Sequence, residues 1–301
     1  MTISADLIRQ LALAGDDFGF EMRMGKILQT ITGAQVEHGG TYKPLGINMA
    51  PRQFDYRVKV VSDNRVLRLA VECKNFYAGS PVVVCGSRRT REESYLDLIV
   101  SDFREVISRH GDEDDDFVGL VQKTSPSSFY VAGDFVGRAT LRPEPGASKE
   151  RELVKDSRYK LTGDADIYEK WNQAVTHSVR MADWAINERQ NSRHFVLSAV
   201  LPIVVMPDET LWQIQYDDDG NIVDGPKPVN STTLYVGVSQ YLGNSTEQTV
   251  KLSHIHFMTA TGLTEFCEKV ANNSSELWDI VFDPSAIRWY DARRSKPLQL
   301  P

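Results

Sequence analysis

The chain has 301 residues, a formal net charge of −7 and a quarter of its residues charged. These values mark a soluble globular protein, exclude one coated in basic surface for nucleic acid, and at this length predict a single elaborated α/β domain with a large core. Three cysteines, Cys73, Cys85 and Cys267, share no metal or redox spacing and fit free thiols in a reducing cytoplasm.

In chain order, the first nine residues lack a basic leader, and Asp6 and Arg9 break their apolar run, so no secretory signal is expected. Phe20, Met24, Ile27, Leu28 and Ile31 recur at helical spacing, which predicts a helix over residues 20–31 that ends at Thr32-Gly33. Glu21, Gly25 and Leu28 form an adjoining stripe, and Gly25 lets such a helix lie close to a sheet. A first strand is expected over residues 34–38.

Two period-two runs follow. Phe54, Tyr56, Val58 and Val60 alternate with Asp55, Arg57 and Lys59, and Leu67, Leu69, Val71 and Cys73 alternate with Arg68, Ala70, Glu72 and Lys74. The linker Ser62-Asp63-Asn64-Arg65 has hairpin chemistry, so the runs are expected to pair antiparallel with Asp55 beside Glu72 and Lys74. Two carboxylates next to an ammonium suit one task. They hold a hard divalent cation and leave a cation to orient an attacking water, which is what phosphodiester hydrolysis requires.

Beyond a loop at residues 75–81, the spacing of Leu96, Leu98, Ile99, Phe103, Val106 and Ile107 predicts a helix over residues 91–109. The acidic run 112–116 lacks the spaced ligands of a calcium loop and reads as a solvated loop. Strands are expected at 117–122 and 129–136, a flexible excursion at 142–149, and residues 79–162 as a whole read as an insertion. The strongest helix covers residues 167–185, with a capping box from Asp166 and Glu169 and a second stripe of Gln173, His177, Arg180 and Trp184.

The apolar run 195–206 is too short to span a bilayer and reads as a doubly covered strand, with Pro202 marking an edge or bulge. Strands at 211–216, 232–241 and 250–257 and a helix at 264–270 complete the pattern. His254-Ile255-His256 has the one-face spacing of a strand-borne zinc pair but no third ligand nearby. Arg57, Lys59 and Arg68, then Arg88, Arg89 and Arg91, then Arg293, Arg294 and Lys296, are basic groups that suit phosphate contacts or an ordinary surface. No nucleophile elbow or phosphate-binding glycine loop is present.

Asp55 followed by Glu72-Cys73-Lys74, the only acid-any-lysine triplet in the chain, resembles the PD-(D/E)XK nuclease superfamily. The proline of that motif is replaced, since Gln53-Phe54 precedes Asp55. The resemblance implies a restriction-endonuclease-like α/β core, a central mixed sheet flanked by helices, here with additional peripheral β-strands. It also implies Mg²⁺, replaceable by Mn²⁺, held by Asp55, Glu72 and the Cys73 backbone carbonyl. Glu21 on the opening helix would complete the metal shell, Lys74 would position the attacking water, and Gln173 would approach the site from the later helix. DNA is the implied substrate, with a setting in restriction or phage defence, in the cytoplasm and away from membranes. Two other readings stay open: a subunit that keeps the nuclease fold without cutting, and an effector that is gated by a partner or by its own oligomerisation.

Overall fold

A computed structural model describes residues 4–14, 16–45, 50–76, 80–101, 120–145, 159–162, 164–187, 196–241, 249–272 and 275–283. Helices α1 (Ala5–Ala14) and α2 (Asp17–Leu28) lead into β1 (Gln35–His38), the short β2 (Thr41–Tyr42) and β3 (Arg52–Gln53), then β4 (Tyr56–Ser62) and β5 (Arg65–Cys73). Strands β6 (Val82–Arg88), β7 (Leu96–Ser101), β8 (Leu120–Thr124), β9 (Phe135–Pro145) and β10 (Tyr159–Thr162) precede the long helix α3 (Asp164–Asn187). The chain continues through β11 (Val196–Met206), β12 (Leu211–Tyr216), β13 (Ile222–Pro228), β14 (Ser231–Tyr241) and β15 (Thr249–Thr259) to α4 (Ala260–Ala271) and α5 (Ser275–Val281).

Among the described residues thirteen strands form one mixed sheet in the order β1-β4-β5-β11-β15-β14-β9-β6-β12-β13, with β10 beside β9 and with β7 pairing both β11 and β8. The protein is therefore α/β, a large mixed sheet flanked by a few helices. Strands β6 to β10, all within residues 79–162, hydrogen-bond into this same sheet. Among the described residues no helix is long and apolar enough to cross a membrane.

Strand β11 sits between β5 and β15, and all eleven of its residues are buried. Its unbroken apolar run follows from cover on both faces. On one face, Leu69 and Val71 of β5 and Leu201 of β11 pack against Met24 and Leu28 of α2 and Leu263 of α4. On the other, Ala70 and Val200 meet Met181, Ala182 and Ala185 of α3. Because strand side chains alternate, α3 lies over the face of β5 that also carries Arg68 and Glu72.

The β4–β5 hairpin forms as expected, closed by Asp63 and Asn64 with Ser62 opposite Arg65 and Asp63 at a positive φ of 54°. Its core side draws α2 in close: a Cβ at Gly25 would overlap the Tyr56 hydroxyl and ring. Gly25→Val is therefore expected to cost about 1–3 kcal/mol in urea denaturation by overpacking. A cost under about 0.3 kcal/mol would show that α2 does not rest on Tyr56, because a branched side chain has no room in that contact.

Several expectations are corrected. The helix read over residues 91–109 is strand β7 at Leu96–Ser101, antiparallel to both β8 and β11; residues 102–109 lie outside the description. Pro202 marks neither an edge nor a bulge, since β11 and β5 pair without a register shift through Pro202↔Ala70. The ring is accommodated by parity. Leu197 N–H bonds Asn64 and Val205 C=O bonds Lys74, so odd residues of β11 face β5 and Pro202 faces the other side. There β7 has already left at Ser198 and β15 joins only at Ile203, so no ladder bond is lost.

Residues 129–134 are loop rather than strand, and Arg142–Pro145 belong to β9, paired with β10, while residues 146–149 lie outside the description. Helix α3 begins at Asp164, which places Asp166 inside the first turn rather than at the cap. Helix α2 stops at Leu28, although Ile31 still packs into the core. The acidic run 112–116 and the basic group 293–296 also lie outside the described residues.

Candidate active site

The register Tyr56↔Val71 brings Asp55, at the entry of β4, opposite Glu72 near the end of β5. Asp55 is half-buried and outside the core clusters, and its Oδ2 accepts the Cys73 backbone N–H at 2.6 Å. Glu72 is only 1% exposed. Its Oε2 accepts from the Lys74 ammonium at 3.3 Å, while Oε1 is buried without a hydrogen-bond partner. The same ammonium donates to Gln173 Oε1 of α3 at 3.0 Å. Asp55, Glu72, Lys74 and Gln173 thus meet at one end of the β4–β5 hairpin, beneath α3.

Burial first, and then the Asp55 charge, pushes the Glu72 carboxyl up to about 8 against the partial counterweight of Lys74. At neutral pH and without a cation, Glu72 therefore keeps its proton. Burial likewise lifts the Tyr42 phenol to about 12, helped by the Glu72 charge, and Tyr42 donates to the Gln173 carbonyl at 3.4 Å. The Cys73 thiol is pushed up by burial and by Asp55 and packs against the core, so it is neither a thiolate nucleophile nor a metal ligand. Its backbone C=O leaves the strand on the same side as its N–H, towards Asp55.

The stripe on α3 is the second wall. His177 stacks on Phe54 at 4.6 Å and on Tyr42 at 5.0 Å, and its Nε2 accepts from Arg57 Nε at 3.4 Å. Burial, then the Arg57 charge, lowers His177 to about 3, so it stays a neutral acceptor. Phe54 therefore does not continue the inward row of Tyr56 and Val58. The chain bends at Asp55, and Phe54 turns to the α3 face, its ring edge 2.6 Å from where a Cβ on Gly40 would stand.

Glu21 stands one step away. Its Oε1 is 2.6 Å from His38 Nε2, and His38 stacks on Tyr56 at 4.7 Å. Glu21 lies near enough to Tyr56 and Cys73 for its charge to raise both. Among the described residues no group of three His, Cys, Asp or Glu side chains is spaced to hold a metal ion. Asp55 and Glu72 are brought together by the fold, whereas Glu21 engages His38 and does not join them in a three-ligand group among the described residues.

Neither a family model, nor a curated protein, nor a solved structure matches this chain.

His38 and Tyr42 were not singled out for this site by the sequence, and Arg57 was read there as a phosphate contact rather than as the partner of His177. Only the antiparallel pairing of β1 with β4, which sets His38 opposite Tyr56, connects His38 to it. The His254 and His256 pair belongs to a different, structural network. Arg89 Nε donates to His254 Nε2 at 3.1 Å, and the Tyr130 hydroxyl lies 2.8 Å from His256 Nε2. Burial, then the Arg89 charge, holds the two imidazoles neutral, at about 2 and about 4. With both Nε2 atoms engaged, the pair is set up for packing rather than for zinc.

Proposed function

We propose that this chain is a metal-dependent nuclease of the PD-(D/E)XK type that hydrolyses phosphodiester bonds, with DNA as the substrate. The observation that carries the reading is the meeting of the buried Glu72 carboxyl with Asp55, with Lys74 held between Glu72 and Gln173. Two carboxyls forced together in a buried place, with Glu72 keeping its proton for want of a counter-charge, make a site that a cation can complete. The order α2, β1, β4 and β5, with α3 following after β6 to β10, supports a restriction-endonuclease-like core.

The donor set fits a hard cation. Asp55, Glu72 and the Cys73 carbonyl supply only oxygen, the ligand type Mg²⁺ and Mn²⁺ prefer, and Mg²⁺ commonly takes one or two carboxylates and completes its shell with water and phosphate. When bound, such an ion polarises the scissile phosphate and acidifies a water. Lys74 does the positioning: its ammonium, fixed by Glu72 and Gln173, holds the attacking water for in-line approach and offsets charge developing on the phosphate. Glu21 tunes the field from its place on His38, and His177 keeps Phe54 and Arg57 in register with α3.

Titration of Mn²⁺ into the protein by calorimetry tests this. One saturable site is expected, tightening as pH rises from 6 to 9 because the ion displaces the Glu72 proton, and lost in Glu72→Ala. A second reading, a nuclease-fold subunit that does not cut, is favoured by the lack of a three-ligand group among the described residues and by the engagement of Asp55 with the Cys73 N–H. No binding of Mn²⁺ at this cluster would select it.

A further inference from the structure

The short ribbon β2–β3 meets the candidate site from a side that the proposed hydrolysis does not use. The Gly39 N–H bonds the Asp55 carbonyl and the Phe54 N–H bonds the Gly40 carbonyl, each at 3.0 Å, which ties the ribbon to the segment that carries Asp55. Across it, Thr41 pairs with Gln53 and Tyr42 with Arg52. Residues directly opposite in an antiparallel pair project from the same face. Tyr42 marks where that face looks. Its ring stacks on His177 at 5.0 Å and its hydroxyl donates to the Gln173 carbonyl at 3.4 Å, in the turn of α3 whose Gln173 side chain holds the Lys74 ammonium. Arg52 therefore leaves the ribbon on the side of the acid pair, three residues before Asp55, roughly 10 Å of extended chain at ~3.3 Å per residue. The Glu72 and Arg52 charges both act on the Tyr42 phenol, with opposite sign.

Arg52 is half-buried, and among the described residues it makes no hydrogen bond and no ion pair. Its neighbour Tyr42 is a neutral phenol, pushed up to about 12, and brings no counter-charge. Arg57, Arg138 and Arg180, by contrast, are each bonded to a carboxylate. A guanidinium offers N–H donors in a planar fork that matches the oxygens of a phosphate. We infer that Arg52 is a substrate-binding residue that holds a backbone phosphate of the DNA strand beside the one that is cut. Lys74 and the cation take the cut phosphate, and a fork set back along the chain meets a neighbouring one. Such a contact is the same in the ground state and the transition state, so it tightens binding without raising turnover. The inference rests on the nuclease reading, which supplies the strand's place at Asp55 and Glu72.

The test titrates the full chain carrying Lys74→Ala, in EDTA so that nothing is cut, into a labelled DNA duplex and into the same strand unpaired. Fluorescence anisotropy is read over a range of salt. Adding Arg52→Gln should weaken the tighter of the two complexes about fivefold or more and lower its salt slope by about 1. Arg52→Lys should keep the slope and recover only part of the affinity, because the charge survives and the fork does not. With Lys74 intact and Mg²⁺ present, Arg52→Gln should raise KM by a similar factor and leave kcat within about twofold. Arg52→Met, which keeps the aliphatic stem, is made alongside in case the amide variant fails to fold, as judged by circular dichroism. Affinity and slope unchanged in a folded Gln or Met variant overturn the inference. So does a loss of affinity with the slope intact, which is what a merely structural role gives, and so does a fall in kcat at unchanged KM. Displacement of the DNA by inorganic phosphate at the DNA's own affinity assigns Arg52 to a free anion and also overturns it. Arg52-dependent binding by a wild type that cuts nothing with Mg²⁺ sinks the nuclease reading alone. Mg²⁺-dependent cutting that is indifferent to Arg52 sinks this inference alone.

Discussion

Lys74→Ala is expected to lower Mg²⁺-dependent cleavage by at least about 10³-fold while leaving the fold and most substrate binding in place, a loss of the size seen when one preorganised electrostatic group is removed. The reason is local. The Lys74 ammonium bridges Glu72 and Gln173 and is the only cation hydrogen-bonded to the acid pair among the described residues. In the proposed nuclease its removal would leave the water without an orienting partner and the phosphate without a compensating charge. The side chain is not part of the hydrophobic core, so the unfolding midpoint should shift by only a degree or two. Single-turnover rates beside denaturation curves check both halves. Cleavage at the parent rate would show that Lys74 is a structural ion-pair partner and nothing more.

Glu72→Gln is expected to stabilise the metal-free protein, and more so at high pH. The Glu72 carboxyl titrates near 8 in the folded chain against 4.5 for the unperturbed group. Between those values the folded state holds a proton that the unfolded state has released, so stability falls as pH rises through that window and the cost is complete above 8. An amide keeps the shape and the acceptor for Lys74 but carries no charge to desolvate. The gain should be small at pH 5 and on the order of 2 kcal/mol at pH 9, read as a rise in Tm in EDTA. Equal gains at the two pH values would mean that Glu72 is ionised throughout and that its burial is compensated in some other way. The same change should abolish cation binding, so stability and function move in opposite directions at one residue, as they do where a site stores an unfavourable charge.

The hairpin and its acids were readable because their signal is local. Period-two alternation from Leu67 to Cys73 fixes which side chains share a face, and the two-residue turn fixes the register that sets Asp55 opposite Glu72. Gln173 and His177 were legible as a stripe because α3 is long and its apolar side is regular. What failed was whatever depends on partners distant in sequence. Leu96 to Val100 are buried on both faces, and a strand covered on both sides has no period to distinguish it from a helix. Phe54 departs from the inward row to pack against Gly40 and the ring of His177, partners that lie elsewhere in the chain. Pro202 was misplaced because proline excludes a central strand only where its nitrogen faces a partner, and parity is not visible until the neighbours are known. His38, which engages Glu21, is set by pairing between β1 and β4 and carries no mark of its own.

In the proposed nuclease, Asp55 and Glu72 form with Lys74 a site that cuts phosphodiesters only when a hard cation is present. The most direct test incubates wild type and Glu72→Ala with plasmid, linear duplex, single-stranded DNA and RNA, each with Mg²⁺, with Mn²⁺ and with EDTA. DNA cleavage by wild type with either ion, absent in EDTA and in the variant, is the predicted result. Cleavage that persists in Glu72→Ala, or no cleavage of any substrate by wild type under every condition, would contradict it.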